Sequence, residues 1–136
     1  MRSSTTSSDA ARVLIVDDNS EILERTAAVL ERDCVIVAAV QDGLSALEAE
    51  RTLQPDVIVL DISMPGMTGF EVASRLRRSG SRAAVVFLTV HDEADFVTAA
   101  RAAGGLGFVL KPRLADDLTV AVREARQGRP FVSTIS

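Results

Sequence analysis

The sequence has few of the features that mark secreted, disulfide-stabilised or membrane proteins. It contains one cysteine, so no disulfide can form within the chain. No apolar run approaches the ~20 residues that span a bilayer, and the first residues lack the apolar segment of a signal peptide. The net charge of −4 argues against nucleic-acid binding through a basic surface. These absences favour a cytoplasmic protein that does not contact a membrane.

Histidine is also scarce, because His91 is the only one. A metal site or catalytic triad built on several histidines is therefore excluded. What the chain does have is enough apolar sequence, 47% of 136 residues, for one domain with a buried core. We interpret residues 1–10, rich in serine and threonine, as a disordered leader and residues 11–128 as the domain. Residues 129–136 would be a C-terminal tail or the start of a linker to an output domain.

The domain repeats one pattern five times: a short apolar run followed by an amphipathic segment. Continuous apolar runs are typical of parallel strands that are covered on both faces. The pattern predicts strands at 12–17, 34–40, 56–61, 84–89 and 106–110, each followed by a helix. The expected fold is α/β, a flavodoxin-like (βα)5 doubly wound parallel sheet. We take its strand order to be 2-1-3-4-5.

Acidic residues follow two strands that would be neighbours in this sheet. Asp17 ends the first strand, Asp18 follows it and Asp61 ends the third strand. Asp56 begins the third strand and should lie at the opposite edge. Three clustered carboxylates repel one another unless a cation lies among them. Oxygen ligands that leave positions for water and phosphate suit Mg²⁺. Lys111 ends the fifth strand and would bring an ammonium group to the same edge.

Asp61 is the best candidate for a nucleophile at this edge. It ends the central strand and precedes a loop that would leave its carboxylate accessible. A carboxylate beside a metal can attack a phosphoryl group and form an acyl phosphate. The hydroxyl of Thr89, at the end of the fourth strand, and the ammonium of Lys111 would then contact phosphoryl oxygens.

These residues lie in four motifs: VDD at 16–18, LDISMPGMTG at 60–69, LT at 88–89 and FVLKP at 108–112. In this order the motifs resemble the receiver domain of two-component response regulators, across residues 12–128. Residues 121–133 resemble the end of receivers that are joined to a helix-turn-helix DNA-binding domain. Since the chain stops at Ser136, we expect it to be the receiver part of a longer regulator rather than a stand-alone receiver.

The resemblance implies a role for each site residue. Asp61 would accept a phosphoryl group from a sensor histidine kinase or a phosphotransfer protein, and Lys111 would pair with that group. Thr89 and Phe108 would form the switch. The Lys111–Pro112 peptide would be cis, as is common in the family. The implied Mg²⁺ ligands are Asp17, Asp18, Asp61 and the backbone carbonyl of Ser63.

Three further positions would adjust the site. Ser63 and His91 occupy the variable positions that flank the acceptor and tune the lifetime of the phosphorylated state, although His91 also fits a solvated loop residue. Val90 stands where the family usually has a small residue, and it would narrow access to Asp61.

The expected function is a phosphorylation-activated switch rather than a turnover enzyme: the domain would catalyse only its own phosphorylation and dephosphorylation. The surface of the fourth helix, fifth strand and fifth helix would then change affinity for a partner, a second copy of the chain, or a DNA-binding output domain that lies outside this chain. One alternative is a dimerisation or binding module that does not depend on phosphorylation. Another is an aspartyl-phosphate phosphohydrolase, which Ser63 disfavours because such enzymes have a second acid there.

Overall fold

The computed structural model describes residues 10–134, in which six parallel strands form one sheet in the order β2-β1-β3-β4-β5-β6. The strands are β1 (Ala11–Val16), β2 (Cys34–Val40), β3 (Val57–Asp61), β4 (Ala84–Thr89), β5 (Gly107–Leu110) and β6 (Phe131–Val132). The α-helices are α1 (Ser20–Leu30), α2 (Gly43–Leu53), α3 (Gly69–Arg78), α4 (Ala94–Ala102) and α5 (Leu114–Arg126). A 3₁₀ turn, Lys111–Arg113, joins β5 to α5.

Alternate residues of each central strand face two separate apolar layers. In β1, Val13 and Ile15 pack into the layer that contains the buried residues of α1 and α5. Leu14 and Val16 pack into the opposite layer, beneath α2, α3 and α4. Strands buried on both faces need apolar residues at every position, which is why the strand sequences are continuous apolar runs.

The predicted fold is confirmed, including the strand order 2-1-3-4-5 of the first five strands. The sixth strand, β6, was not predicted; it pairs in parallel with the outer edge of β5. The proposed leader, 1–10, lies outside the described residues except for its last position. Within residues 10–134 no helix has the length and apolar character needed to cross a membrane.

Polar residues start the helices at the edge where the strands end. Asn19, Asp42 and Thr68 each accept a hydrogen bond from a backbone N–H in the first turn of α1, α2 and α3. These caps fix the turns from strand to helix. The same edge therefore carries both the carboxyl ends of the strands and rigid loops beside them.

Candidate functional site

Three aspartates meet at the carboxyl edge of the sheet. Asp17, Asp18 and Asp61 each offer a carboxylate oxygen, and these oxygens all lie within 4.8 Å of one another. Asp17 and Asp61 are buried, at 2% and 3% exposure, whereas Asp18 is exposed. The cluster therefore opens to solvent on the side of Asp18.

The ends of β1 and β3 hold these carboxylates in place. The Asp17 N–H donates to the carbonyl of Val40 on β2 (3.1 Å), which continues the ladder one residue beyond β1. Its Oδ1 accepts a hydrogen bond from the N–H of Asn19 (2.9 Å). Since Val16 is paired with Leu60, Asp17 and Asp61 follow adjacent positions on neighbouring strands. Sheet register thus brings together residues that are 44 positions apart in the sequence.

Lys111 supplies the cation of the cluster. Its Nζ lies 3.0 Å from Asp17 Oδ2 and 3.4 Å from Asp61 Oδ1, with only 16% of its side chain exposed. The site holds three carboxylates and one ammonium, so it carries a net negative charge when all four groups are ionised. The pKa of Asp61 is raised to about 7, chiefly by burial and then by the charge of Asp17, although Lys111 opposes the rise.

The residues present fit a divalent cation. Asp17 Oδ2 is buried, and Lys111 Nζ, at 3.0 Å, is its one partner among the described residues. Three clustered carboxylates with one ammonium between two of them retain free oxygen lone pairs, which form a donor set for a hard cation such as Mg²⁺. A bound dication would also favour ionised Asp61 over its protonated form.

The loop after β3 returns tightly onto Asp61. The N–H of Gly69 donates to the carbonyl of Ile62 (2.8 Å). A Cβ at position 69 would overlap the backbone carbonyl oxygen of Asp61. Only glycine permits this approach, so Gly69 is a positioning residue that sequence reasoning included in a motif but gave no role.

Thr89 and His91 connect the end of β4 to the loop that follows β3. Thr89 is buried, and its hydroxyl oxygen accepts a hydrogen bond from the His91 N–H (3.1 Å). The His91 ring lies 3.0 Å, Nε2 to Oγ, from Ser63 and stacks on Phe96 with centroids 4.2 Å apart. Two of the three predicted tuning residues, Ser63 and His91, therefore join the loop after β3 to the loop after β4. Phe96 was not predicted to take part in this bridge.

The other predicted residues lie around this centre. Val90 is 65% exposed next to Thr89. Phe108 is buried in β5, three residues before Lys111, in the layer beneath α2, α3 and α4. As expected, Asp56 is remote from the cluster: its Oδ2 accepts a hydrogen bond from the N–H of Arg12 (2.9 Å) at the opposite end of β1.

The expected cis peptide at Lys111–Pro112 is wrong for this structure. No peptide bond is cis among the described residues. Pro112 instead lies in the first turn of the 3₁₀ segment 111–113, where its lack of an N–H costs no hydrogen bond. Lys111 still reaches Asp17 and Asp61 from this backbone.

Comparisons with known proteins agree with this geometry. Residues 13–123 match the family model of the response regulator receiver domain. The chain is 38% identical over 116 residues to the positive alginate biosynthesis regulatory protein of Pseudomonas aeruginosa, a match that covers 83% of this chain and 46% of the relative. It is 37% identical to the nitrate/nitrite response regulator protein NarP of Escherichia coli, with 90% and 58% covered.

A solved structure is similar over nearly the whole chain. A two-component response regulator of the LuxR family from Aurantimonas sp. SI85-9A1 superposes with a TM-score of 0.86 at 29% identity, covering 90% of this chain and 89% of that one. The chain spans about half the length of the curated relatives that it matches. The family match, together with the fold and the acidic cluster, shows that the chain belongs to the response regulator receiver domain family of two-component signalling.

Proposed function

We propose that Asp61 accepts a phosphoryl group and that its phosphorylation switches the domain between two signalling states. The observation that carries this proposal is the cluster of three carboxylates, from Asp17, Asp18 and Asp61, in which Asp17 and Asp61 also contact the ammonium of Lys111. Asp61 ends the central strand with its carboxylate beside that cation. The phosphodonor would be a sensor histidine kinase or a phosphotransfer protein of the cytoplasm.

In the transfer step, an Asp61 carboxylate oxygen attacks the phosphorus of the phosphohistidine. The new P–O bond forms an acyl phosphate while the P–N bond breaks, and the donor imidazole leaves with the bonding electron pair and takes up a proton. Asp17, Asp18, Asp61 and the carbonyl of Ser63 would hold Mg²⁺, which offsets charge on the transferring phosphoryl oxygens when it is bound. Lys111 orients the same oxygens by its charge.

The signal would arise from the groups that meet the new phosphoryl oxygens. Thr89 can redirect its hydroxyl toward them, which removes the acceptor of the His91 N–H. The hydrogen-bonded Ser63–His91 pair would then set how readily water reaches the acyl phosphate, with exposed Val90 at the rim. The surface of α4, β5 and α5 would shift with Thr89 and Phe108 and control a second receiver or a DNA-binding output domain.

The test is incubation with acetyl phosphate, with and without Mg²⁺, followed by intact-mass measurement. We expect one phosphoryl adduct that requires Mg²⁺ and is absent from Asp61→Asn. No adduct with any small donor would instead favour a binding module that works without phosphorylation. Continuous release of phosphate from a chromogenic ester would favour a phosphohydrolase, and Ser63, which is not an acid, argues against that outcome.

A further inference from the structure

The C-terminal tail, residues 129–133, is bound to the outer edge of β5. The guanidinium of Arg129 donates two hydrogen bonds to the Glu124 carboxylate (2.8 and 3.2 Å) at the end of α5. Beyond this pair, the N–H of Phe131 donates to the carbonyl of Leu106 (3.1 Å) and the N–H of Ser133 donates to that of Phe108 (2.8 Å). The tail therefore supplies a hydrogen-bonded neighbour to the strand that leads to Lys111.

Ser133 forms the buried end of this contact. Its hydroxyl donates to Asp117 Oδ2 (2.7 Å) and accepts from the N–H of Leu110 (3.2 Å). Ser133 is 7% exposed and Asp117 is 9% exposed. The Asp117 carboxylate is held by the Nε and Nη2 atoms of Arg113 (3.2 and 3.1 Å). The serine hydroxyl therefore adds a third hydrogen bond to a buried carboxylate that Arg113 already holds through both oxygens.

The tail also covers the predicted switch residue. Phe108 is paired with Phe87 of β4 on one side and with Val132 of β6 on the other. The buried residues Phe87 and Phe108 belong to one apolar layer, and Val132 packs against it. Without β6, Phe108 would lie on an edge strand with one flank open. The docked tail thus covers the edge of the strand that carries Phe108.

We propose that Ser133 is a positioning residue for the phosphoacceptor site, and that tail docking and phosphorylation of Asp61 strengthen each other. The inference rests on the proposed function. Ser133 fixes the N–H of Leu110, and the next residue, Lys111, contacts Asp61. The docked tail also pairs with Phe108, which we propose as part of the switch together with Thr89. Two events that favour the same arrangement are thermodynamically coupled.

The first experiment is hydrogen exchange on the 136-residue chain, with Mg²⁺ and with or without beryllofluoride as the phosphoryl mimic. We expect the amides of Phe131 and Ser133 to exchange at least about fivefold more slowly when the mimic is bound, which is the lower end of typical couplings. Asp61→Asn should show no such slowing. Unchanged or faster exchange in the wild-type chain would overturn the proposal.

The second experiment measures the reciprocal effect. Ser133→Ala should weaken beryllofluoride binding, which the ¹⁹F signal of the bound mimic reports. The loss of affinity should reach at most the factor by which exchange slows, the limit for a variant whose tail is fully released. Ser81→Ala is a matched control, since the Ser81 hydroxyl also donates to a carboxylate, Glu50 (2.7 Å), and accepts a backbone N–H, that of Ala83 (3.2 Å). The control should bind the mimic like wild type.

The two proposals fail in different ways. If no bound ¹⁹F signal appears in the wild-type chain, the phosphoacceptor function itself is wrong. A normal ¹⁹F signal in both Ser133→Ala and wild type, with equal affinity, would leave that function intact and refute the positioning role of Ser133.

Discussion

At the scale of single residues, Asp61 combines burial with charge repulsion. Its raised pKa of about 7 comes from burial and the neighbouring Asp17, and the ammonium of Lys111 opposes it. Burial and the charge of Asp17 destabilise the ionised carboxylate in the folded chain. This destabilisation belongs to the group that we propose as the phosphoacceptor.

This destabilisation predicts how stability depends on pH in the absence of metal. An unfolded aspartate has a pKa of about 3.9, so between about pH 4 and 7 folded Asp61 retains a proton that the unfolded chain has lost. The free energy of unfolding should therefore fall as pH rises through this window, by about 1 to 3 kcal/mol, and the stabilisation is complete only below the unfolded pKa.

Urea unfolding of wild type and Asp61→Asn at pH 5 and pH 8 measures this effect. The variant should lose most of the difference between the two pH values and be more stable than wild type at pH 8. Asp116→Asn, which alters a carboxylate that is 70% exposed, should keep the wild-type dependence. An equal pH dependence in wild type and Asp61→Asn would show that Asp61 does not titrate in this range.

At the scale of elements, the loop between β3 and α3 depends on one glycine. Gly69→Ala would place a Cβ against the backbone carbonyl of Asp61, which cannot move aside as a flexible side chain can. We expect a loss of about 3 kcal/mol in stability and at least about tenfold slower phosphorylation by acetyl phosphate, because the nucleophile is displaced.

Gly66→Ala is the control in the same loop. Gly66 has a φ of +81° with no atom within 4 Å of a built Cβ, so only the left-handed backbone is penalised. That penalty is about 1 to 2 kcal/mol, and phosphorylation should continue at near the wild-type rate. Similar rates for Gly69→Ala and wild type would refute the role of close packing at Asp61.

Five of the six strands can be predicted from the sequence, whereas the sixth cannot. Five short, continuous apolar runs predict β1 to β5, and motifs at their ends predict the cluster of Asp17, Asp61 and Lys111. The strand β6 has two residues after Pro130, too few for any periodicity. The partner of Ser133, Asp117, lies 16 residues away on a helix, so only the folded chain brings the two together. Local patterns therefore predict the strand ends, and tertiary contacts supply the tail.

At the scale of the whole molecule, the acidic cluster forms only in the folded chain, so the metal binding that we propose would depend on folding. Asp17 and Asp61 come together only when β1 and β3 pair, so the unfolded chain has no comparable site. A ligand that binds the folded chain alone raises the free energy of unfolding, by about 2.7 kcal/mol at a hundred times its dissociation constant. A bound dication would also keep Asp61 ionised and remove most of its pH dependence.

We therefore expect Mg²⁺ to raise the urea midpoint of the wild-type chain at pH 8 and to bring its stability at pH 5 and pH 8 closer together. Asp17→Asn should lose this gain, because it removes a buried carboxylate of the cluster. Asp56→Asn should retain it, since Asp56 lies at the opposite edge and its amide can still accept the Arg12 N–H. An equal Mg²⁺ gain in Asp17→Asn would place the cation elsewhere on an acidic surface. A gain lost only in Asp17→Asn would tie the stability of the whole domain to the pocket where phosphorylation is proposed.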